Sequence, residues 1–226
     1  TALSLAEYQH RPPIILIEPQ QKFVFLPLLF ELLSGEIKSW EICYPYSSLL
    51  AKRGISILQE RVKSINCNSQ TVKTSSGLNL NYSQLVLSTG SKTKSLNIPG
   101  LQDHALIFQR LEDVRLIQDQ IQKIKLCNNK QTNLVIVGGG PTGIELSCKL
   151  ADLLSETASL SLIEMGRRIL PESRAFNREQ AEKALKEKRI SVYLQTKVTE
   201  ITKDLVILES HGDDGVHHSS MMHKGI

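Results

Sequence analysis

Residues 138–143 read Gly-Gly-Gly-Pro-Thr-Gly, a match to G-x-G-x-x-G. Glycine-rich turns are common, so the context of this one decides its meaning. It follows an apolar run, Leu134 to Val137, and opens a stretch in which Leu146, Leu150, Leu153 and Leu154 are spaced along one helix face. The next apolar run, Leu160 to Ile163, ends in Glu164, 21 residues after Gly143. Strand, glycine turn, helix, strand and acid in this order describe a dinucleotide site. Gly138 would allow the tight turn, Gly140 the close approach of backbone to a pyrophosphate, and Gly143 the close packing of helix on strand. Gly139, Pro141 and Thr142 complete the turn. The N–H groups and positive dipole end of the helix would stabilise the anion, and Glu164 would accept hydrogen bonds from a ribose diol. The bland alternative is a turn with no ligand.

The choice between NADH and NADPH stays open. Glu164 favours NAD, because a carboxylate repels the 2′-phosphate of NADP, yet Arg167 and Arg168 lie just beyond and could reach that phosphate. The arginine pair reads equally well as a solvated loop. Upstream, Ile14 to Ile17 is another short apolar run ending in an acid, Glu18. Alone, Glu18 would be a solvated strand-end carboxylate. Two acid-ended strands at matching points of two α/β units point instead to a second nucleotide.

Bulk properties narrow the classes. A chain of 226 residues suggests one large or two small domains, and two is the reading adopted. With 41% hydrophobic and 22% charged residues it resembles a soluble protein, and no apolar stretch reaches the roughly 18 residues of a membrane span. The net charge of +4 is scattered, which argues against a nucleic-acid partner. Cys43, Cys67, Cys127 and Cys148 form no Cys-x-x-Cys pair and are expected to be reduced and mostly buried. His217, His218 and His223 with Met221 and Met222 could suggest a metal site, but the composition around them favours an unstructured tail, so no metal is assigned.

The elements that must position these residues can be read along the chain. Thr1 to Tyr8 is helical and is stopped by Pro12 and Pro13; Ile14 to Ile17 is a buried parallel strand. Residues 23–35 are apolar and interrupted by Pro27, and Ser47 to Lys52 is a short helix. From Ile55 to Leu87 short apolar runs separated by turns suggest an antiparallel meander leading into a buried strand, Leu85 to Leu87, that ends at Thr89 and Gly90. Leu111, Val114, Ile117, Ile121 and Ile124 fall on one helix face, and a polar linker, Asn128 to Thr132, precedes the glycine unit. A charged helix, Asn177 to Lys188, and a strand pair, Val192 to Leu194 with Leu205 to Leu208, continue the α/β order. Beyond His211 the periodicity fails, and a disordered or aberrant tail is expected over 211–226.

Two nucleotide units with a Thr89-Gly90 strand end between them resemble the two-dinucleotide flavoprotein fold, a tandem Rossmann-like α/β arrangement with FAD in the first unit and NAD(P)H in the second. Residues 23–35 (FVFLPLLFELLSG), 85–90 (LVLSTG), Ile98-Pro99-Gly100-Leu101 and Leu111-Glu112-Asp113 are similar to type II NADH dehydrogenases. Residues 31–36 (ELLSGE) with Trp40-Glu41-Ile42 are most similar to the plastid and cyanobacterial branch, the demethylphylloquinone reductases. The likeness covers residues 1–208 and implies residues 1–110 as a partial FAD-binding domain and 111–210 as the NAD(P)H-binding domain.

The activity implied is FAD-dependent electron transfer from NAD(P)H to a quinone, a naphthoquinone in that branch. Carried over by position, Glu18 would bind the FAD ribose and Val62 the adenine through its backbone. Thr89 and Gly90 would approach the flavin nucleotide, and Pro27 the isoalloxazine. Glu145 matches an acid near nicotinamide and quinone, where it would serve proton traffic as the catalytic residue; otherwise it is an exposed first-turn carboxylate favoured by the helix dipole. No Cys-x4-Cys pair is present, which argues against disulfide reductases of the same fold. The resemblance also implies that this chain is a fragment, inactive alone, without the first strand and its glycine turn, a later FAD-binding segment, and the C-terminal region through which the family meets membranes. Peripheral membrane association, homodimerisation and a plastid, thylakoid or cyanobacterial membrane-periphery location follow from it; outside that branch the cytoplasmic face of a membrane is expected. Two other readings remain: a flavin-free NAD(P)H-binding regulatory module, and a ferredoxin-type flavoprotein reductase.

Overall fold

Parallel strand pairing organises both parts of the chain. The computed structural model describes residues 1–90, 97–127, 132–154, 157–212 and 215–223. Two compact units emerge: Thr1–Phe25 with Lys38–Thr93, and Leu26–Ile37 with Lys94–Ile226. The segment carrying Pro27 belongs to the second unit. Sequence order hides that exchange, because only packing decides which neighbours a short helix joins.

In the first unit, helix α1 (Ala2–Leu5) precedes β1 (Ile14–Ile17), and β2 (Lys22–Val24) pairs antiparallel with β3 (Cys43–Pro45). Strand β4 (Ile55–Leu58) does not open the meander, as the sequence suggested; it pairs in parallel with β1, Ile14 opposite Ile55. The antiparallel meander is β5 (Val62–Asn66), β6 (Thr71–Thr74) and β7 (Asn79–Asn81). β1 is parallel as expected but not buried: its sheet has two strands, and Ile15 is 50% exposed. Leu85 to Leu87 form no strand and are exposed. An apolar run becomes a strand only where another edge takes up its N–H and C=O groups, and no described strand pairs with this one.

The second unit holds the regular α/β core. Helix α2 (Leu29–Ser34) follows a 3-10 turn over Leu26–Leu28 and ends at Gly35, whose φ of +79° gives the left-handed cap that a residue with a Cβ disfavours. The remaining short helices are α3 (Ser39–Ile42) and α4 (Tyr46–Leu49) of the first unit and α5 (Leu101–His104) of the second. Helix α6 (Leu111–Cys127) buries Val114, Ile117, Ile121 and Ile124, the stripe that its spacing predicts. Asp113 caps its start, the carboxylate accepting from the backbone N–H groups of Gln109 and Arg110 at 2.9 and 2.7 Å.

Next come β8 (Thr132–Val137), α7 (Pro141–Leu154), β9 (Ala158–Ile163), α8 (Ala175–Glu187) and β10 (Ser191–Tyr193), giving a parallel sheet of order β10-β9-β8. This is a βαβαβ unit, buried through Leu134 and Ile136 on β8 and Leu160, Leu162 and Ile163 on β9. The buried face of α7 passes through Ile144, Ser147, Leu150, Ala151 and Leu154, with Leu146 and Leu153 half-buried on its flanks. Counting leucines alone therefore rotates the expected face, since the polar Ser147 is inside, its hydroxyl donating to Gly143 O at 2.6 Å.

A second sheet follows, antiparallel β11 (Thr196–Ile201), β12 (Leu205–Gly212) and β13 (Gly215–Met222). The expected strand pair is thus split: Val192 lies beside Leu162 in the parallel sheet, while β12 pairs with β11. The expected tail also differs. β13 runs antiparallel to β12 from Gly212↔Gly215 to Leu205↔Met222, and Met221 packs against the cluster of Ile163, Val198, Ile201, Val206 and Leu208. Residues 215–220 are all exposed and only Val216 among them is a large hydrophobic, so composition reads as disorder where backbone pairing supplies the order.

Candidate dinucleotide site

The parallel register of β8 and β9 sets Val137 beside Ile163, so the glycine turn and Glu164 leave the sheet at the same edge. The ladder continues one step past the strands, with Gly138 N–H donating to Ile163 O at 2.8 Å. Gly138 then turns the chain with φ +112°. Helix α7 starts at Pro141, a first-turn position where a missing N–H and a preset φ cost nothing. Gly143 sits two residues on, within the first turn, where an added Cβ would stand 1.9 Å from Gly138 O. The sequence assigned Gly143 to close packing, and this is the atom it packs against. A Cβ on Gly140 would meet nothing within 4 Å, so the space in front of the helix N-terminus is open. Pro141 and Thr142 are exposed at this mouth, and Glu145 is exposed on the next turn. An open mouth lined by first-turn N–H groups fits a pyrophosphate.

Glu164 is fixed more tightly than its position in the sequence suggests. Its Oε2 accepts from Gly139 N–H at 2.6 Å and its Oε1 from Gly166 N–H at 2.6 Å. Its backbone is held from the other side, N–H to Tyr193 O at 2.8 Å and carbonyl to Thr196 N–H at 3.0 Å. Leu170 N–H donates to Gly139 O at 2.9 Å, and Gln195 N–H to Gly166 O at 2.9 Å. Leu170 is buried with φ +46°, an uncommon conformation for a leucine. Neither Gly166 nor Leu170 carries a motif, so sequence reasoning passed over both. The pairing Gly139-x24-Glu164 is visible only once the two strands are in register. Arg167 and Arg168 are exposed, and Arg168 Nη2 donates to Pro171 O at 3.4 Å.

In the first unit, Glu18 leaves β1 with its N–H bonded to Leu58 O at 3.0 Å, and its Oε1 accepts from Gln20 N–H at 2.8 Å. Burial, and then the Glu18 carboxylate, push the Tyr46 hydroxyl above its ordinary value. Tyr46 was not among the residues read from the sequence. Val62 opens β5 and is 42% exposed; Thr89 and Gly90 are exposed, Gly90 with φ +71°. Pro27 lies in the 3-10 turn of the second unit. The structure thus brings Gly138–Gly143 and Glu164 into one place, and sets Glu18, Val62, Thr89 and Gly90 in the other unit.

The cysteines depart from expectation: Cys67 is exposed and Cys43 and Cys148 are half-buried, all as free thiols, while the Cys127 side chain lies outside the described residues. Burial pushes the Cys148 thiol up, Lys188 opposing and Asp152 and Glu145 adding to the shift. His217 and His218, on opposite faces of β13, are both exposed; His223 is buried, its Nε2–H donating to Thr202 O at 3.0 Å.

Known proteins place this geometry. Residues 1–219 match the family described as pyridine nucleotide-disulphide oxidoreductase. Demethylphylloquinone reductase NdbB of Synechocystis is 36% identical over 96% of this chain and 55% of its own length. An alternative NAD(P)H-ubiquinone oxidoreductase C1, chloroplastic/mitochondrial, of Arabidopsis thaliana is 31% identical over 88% of this chain and 41% of its own length. The chain therefore spans about half the length of these curated relatives. Among solved structures, NDH2 from Plasmodium falciparum in complex with NADH superposes with a TM-score of 0.83 at 21% identity, over 98% of this chain and 51% of that one. The sulfide:quinone oxidoreductase of Aquifex aeolicus gives 0.79 at 23% identity, over 93% and 51%. These likenesses carry the tandem α/β flavoprotein fold. Glycine turn, paired acid and matched length together make the chain a member of the pyridine nucleotide-disulphide oxidoreductase family.

Proposed function

We propose that this chain is the nucleotide-handling part of an FAD-dependent oxidoreductase that passes electrons from NAD(P)H to a quinone. The observation that carries the reading is the turn at Gly138–Gly143, open in front of α7 and paired with Glu164 through Gly139. Its support from relatives is the likeness to a demethylphylloquinone reductase and to NAD(P)H-ubiquinone oxidoreductases. Bound FAD would supply the hydride acceptor between the two substrates.

The chain's own residues then have these tasks. Gly138, Gly139, Gly140, Pro141, Thr142 and Gly143 shape the turn so that first-turn N–H groups of α7 meet the pyrophosphate of NAD(P)H. Glu164 accepts from the ribose hydroxyls. Glu18, half-buried where β1 ends, accepts from the FAD ribose, and Val62 holds the adenine through its backbone. Thr89 and Gly90 approach the flavin nucleotide, Pro27 lines the isoalloxazine, and Glu145 moves a proton near nicotinamide and quinone. The acceptor is a naphthoquinone, and the whole protein sits at the periphery of a plastid or cyanobacterial membrane as a homodimer. No described helix is long and apolar enough to cross a bilayer.

The test uses the full-length protein. Its visible spectrum is read for flavin, and NADH and NADPH oxidation is followed with a naphthoquinone and with ferredoxin as acceptors. Flavin absorbance and naphthoquinone-dependent turnover are expected, with Glu145→Gln slowing turnover while the Kd for NADH stays constant. Nucleotide binding without flavin would favour the regulatory module, and turnover only with ferredoxin would favour a ferredoxin-type reductase.

A further inference from the structure

Glu164 lies between two glycines whose missing side chains are filled by its own carboxylate. The three atoms nearest to a Cβ added on Gly139 all belong to Glu164: Oε2 at 3.0 Å, Cβ at 3.1 Å and Cγ at 3.1 Å. On Gly166 the nearest atom is Glu164 Oε1 at 2.9 Å. The same two residues donate their N–H groups to those oxygens, at 2.6 Å each. We propose that Gly166, acting with Gly139, is a positioning residue that sets the nucleotide preference of this site in favour of NADH. The inference rests on the dinucleotide reading above.

A carboxylate offers about four lone-pair directions, and the two backbone donors take one on each oxygen. One direction remains on each, a match to the two hydroxyl donors of an unmodified adenosine ribose. A 2′-phosphate brings oxygens that chiefly accept, and a like charge. A loosely held glutamate could swing aside to admit it. This one would have to break two charge-assisted hydrogen bonds to do so. Of the exposed pair Arg167 and Arg168, which could neutralise the phosphate, Arg168 donates Nη2 to the Pro171 carbonyl at 3.4 Å, so NADPH binding at this site would depend on those arginines while Glu164 stays fixed.

At Gly166 the one contact under 3.4 Å is with Glu164 Oε1, the far end of a flexible side chain, so an alanine there should move the carboxylate and leave the fold in place; at Gly139 Glu164 Cβ at 3.1 Å must also give by a few tenths of an ångström. Equilibrium Kd values for NADH and for NADPH are measured by titration calorimetry on the full-length protein, without quinone, beside melting temperatures. The unaltered protein should bind NADH about tenfold or more tighter than NADPH, the size set by one or two charge-assisted interactions. Gly166→Ala should cut that ratio to about threefold or less by weakening NADH, with the melting temperature unmoved. Gly139→Ala presses on the other oxygen and should act in the same direction, so it answers if the first variant does not fold. An unaltered protein without preference, or a ratio unchanged in the folded variants, overturns the proposal while leaving the dinucleotide site standing. An unaltered protein that binds neither nucleotide removes the dinucleotide reading itself.

Discussion

Gly143→Ala gives the sharpest test of how the glycine turn is built. The new Cβ would lie 1.9 Å from Gly138 O and 3.1 Å from Gly138 C, both backbone atoms that no rotamer change can move. An ordinary carbon–oxygen contact is about 3.3 Å, so α7 and the end of β8 would have to part by about 1.4 Å. Overpacking of this kind costs about 3 kcal/mol, and alanine in a helix returns about 1 kcal/mol relative to glycine. A net loss of about 2 kcal/mol corresponds to a melting temperature lower by about 4–8 °C for a chain of this size. Gly140→Ala is the control. Its Cβ meets nothing within 4 Å, so stability should stay within about 1 kcal/mol. It would still place a methyl group where the pyrophosphate approaches, and NADH affinity should fall about tenfold. Thermal melts by far-ultraviolet circular dichroism and NADH titrations of both variants separate the two roles. Equal melting temperatures for the two variants would refute the packing role of Gly143, and full NADH affinity in Gly140→Ala would refute the close approach.

Leu154 is 1% exposed and Leu153 only half-buried, so Leu154→Ala should cost about 3 kcal/mol in urea unfolding and Leu153→Ala about 1 kcal/mol; equal losses would contradict the face of α7 described above. The hydrogen bond from Lys149 Nζ, and secondarily the Ser34 hydroxyl, hold the Glu36 carboxyl below its ordinary value of 4.5. A depressed carboxyl stabilises the fold above that value and loses its contribution as pH falls through the folded value, so the stability gap between native and Lys149→Met proteins should shrink in acid. Urea midpoints at neutral and acid pH check this, and a gap that widens in acid would show the sign to be wrong. Ending the chain at Gly212 removes the β13 ladder, the Met221 packing and the His223 bond to Thr202 O. The melting temperature should drop, whereas an unchanged one would mean that residues 213–226 contribute nothing to the folded state.

What the sequence determined by itself was the local chemistry with a fixed spacing. The strand, glycine turn and helix from Leu134 to Leu154 follow from apolar run, glycine and proline placement, and the α6 stripe follows from a period near 3.6. Glu164 was legible because a βαβ unit returns its second strand beside the first after a predictable length. The cap at Gly35 likewise needs only its immediate neighbours.

Tertiary structure decided whatever depends on a distant partner. Leu85 to Leu87 look like a strand, yet no described edge pairs with them; residues 215–222 look like a tail, yet β12 supplies the edge that orders them. The same pairing requirement sends β4 to β1 and separates Val192 from Leu205, because a strand's hydrogen bonds are made across space and its side chains do not record with whom. Gly166 and Leu170 entered the site only through the fold, since a glycine whose task is to make room for a carboxylate looks in sequence like any loop glycine.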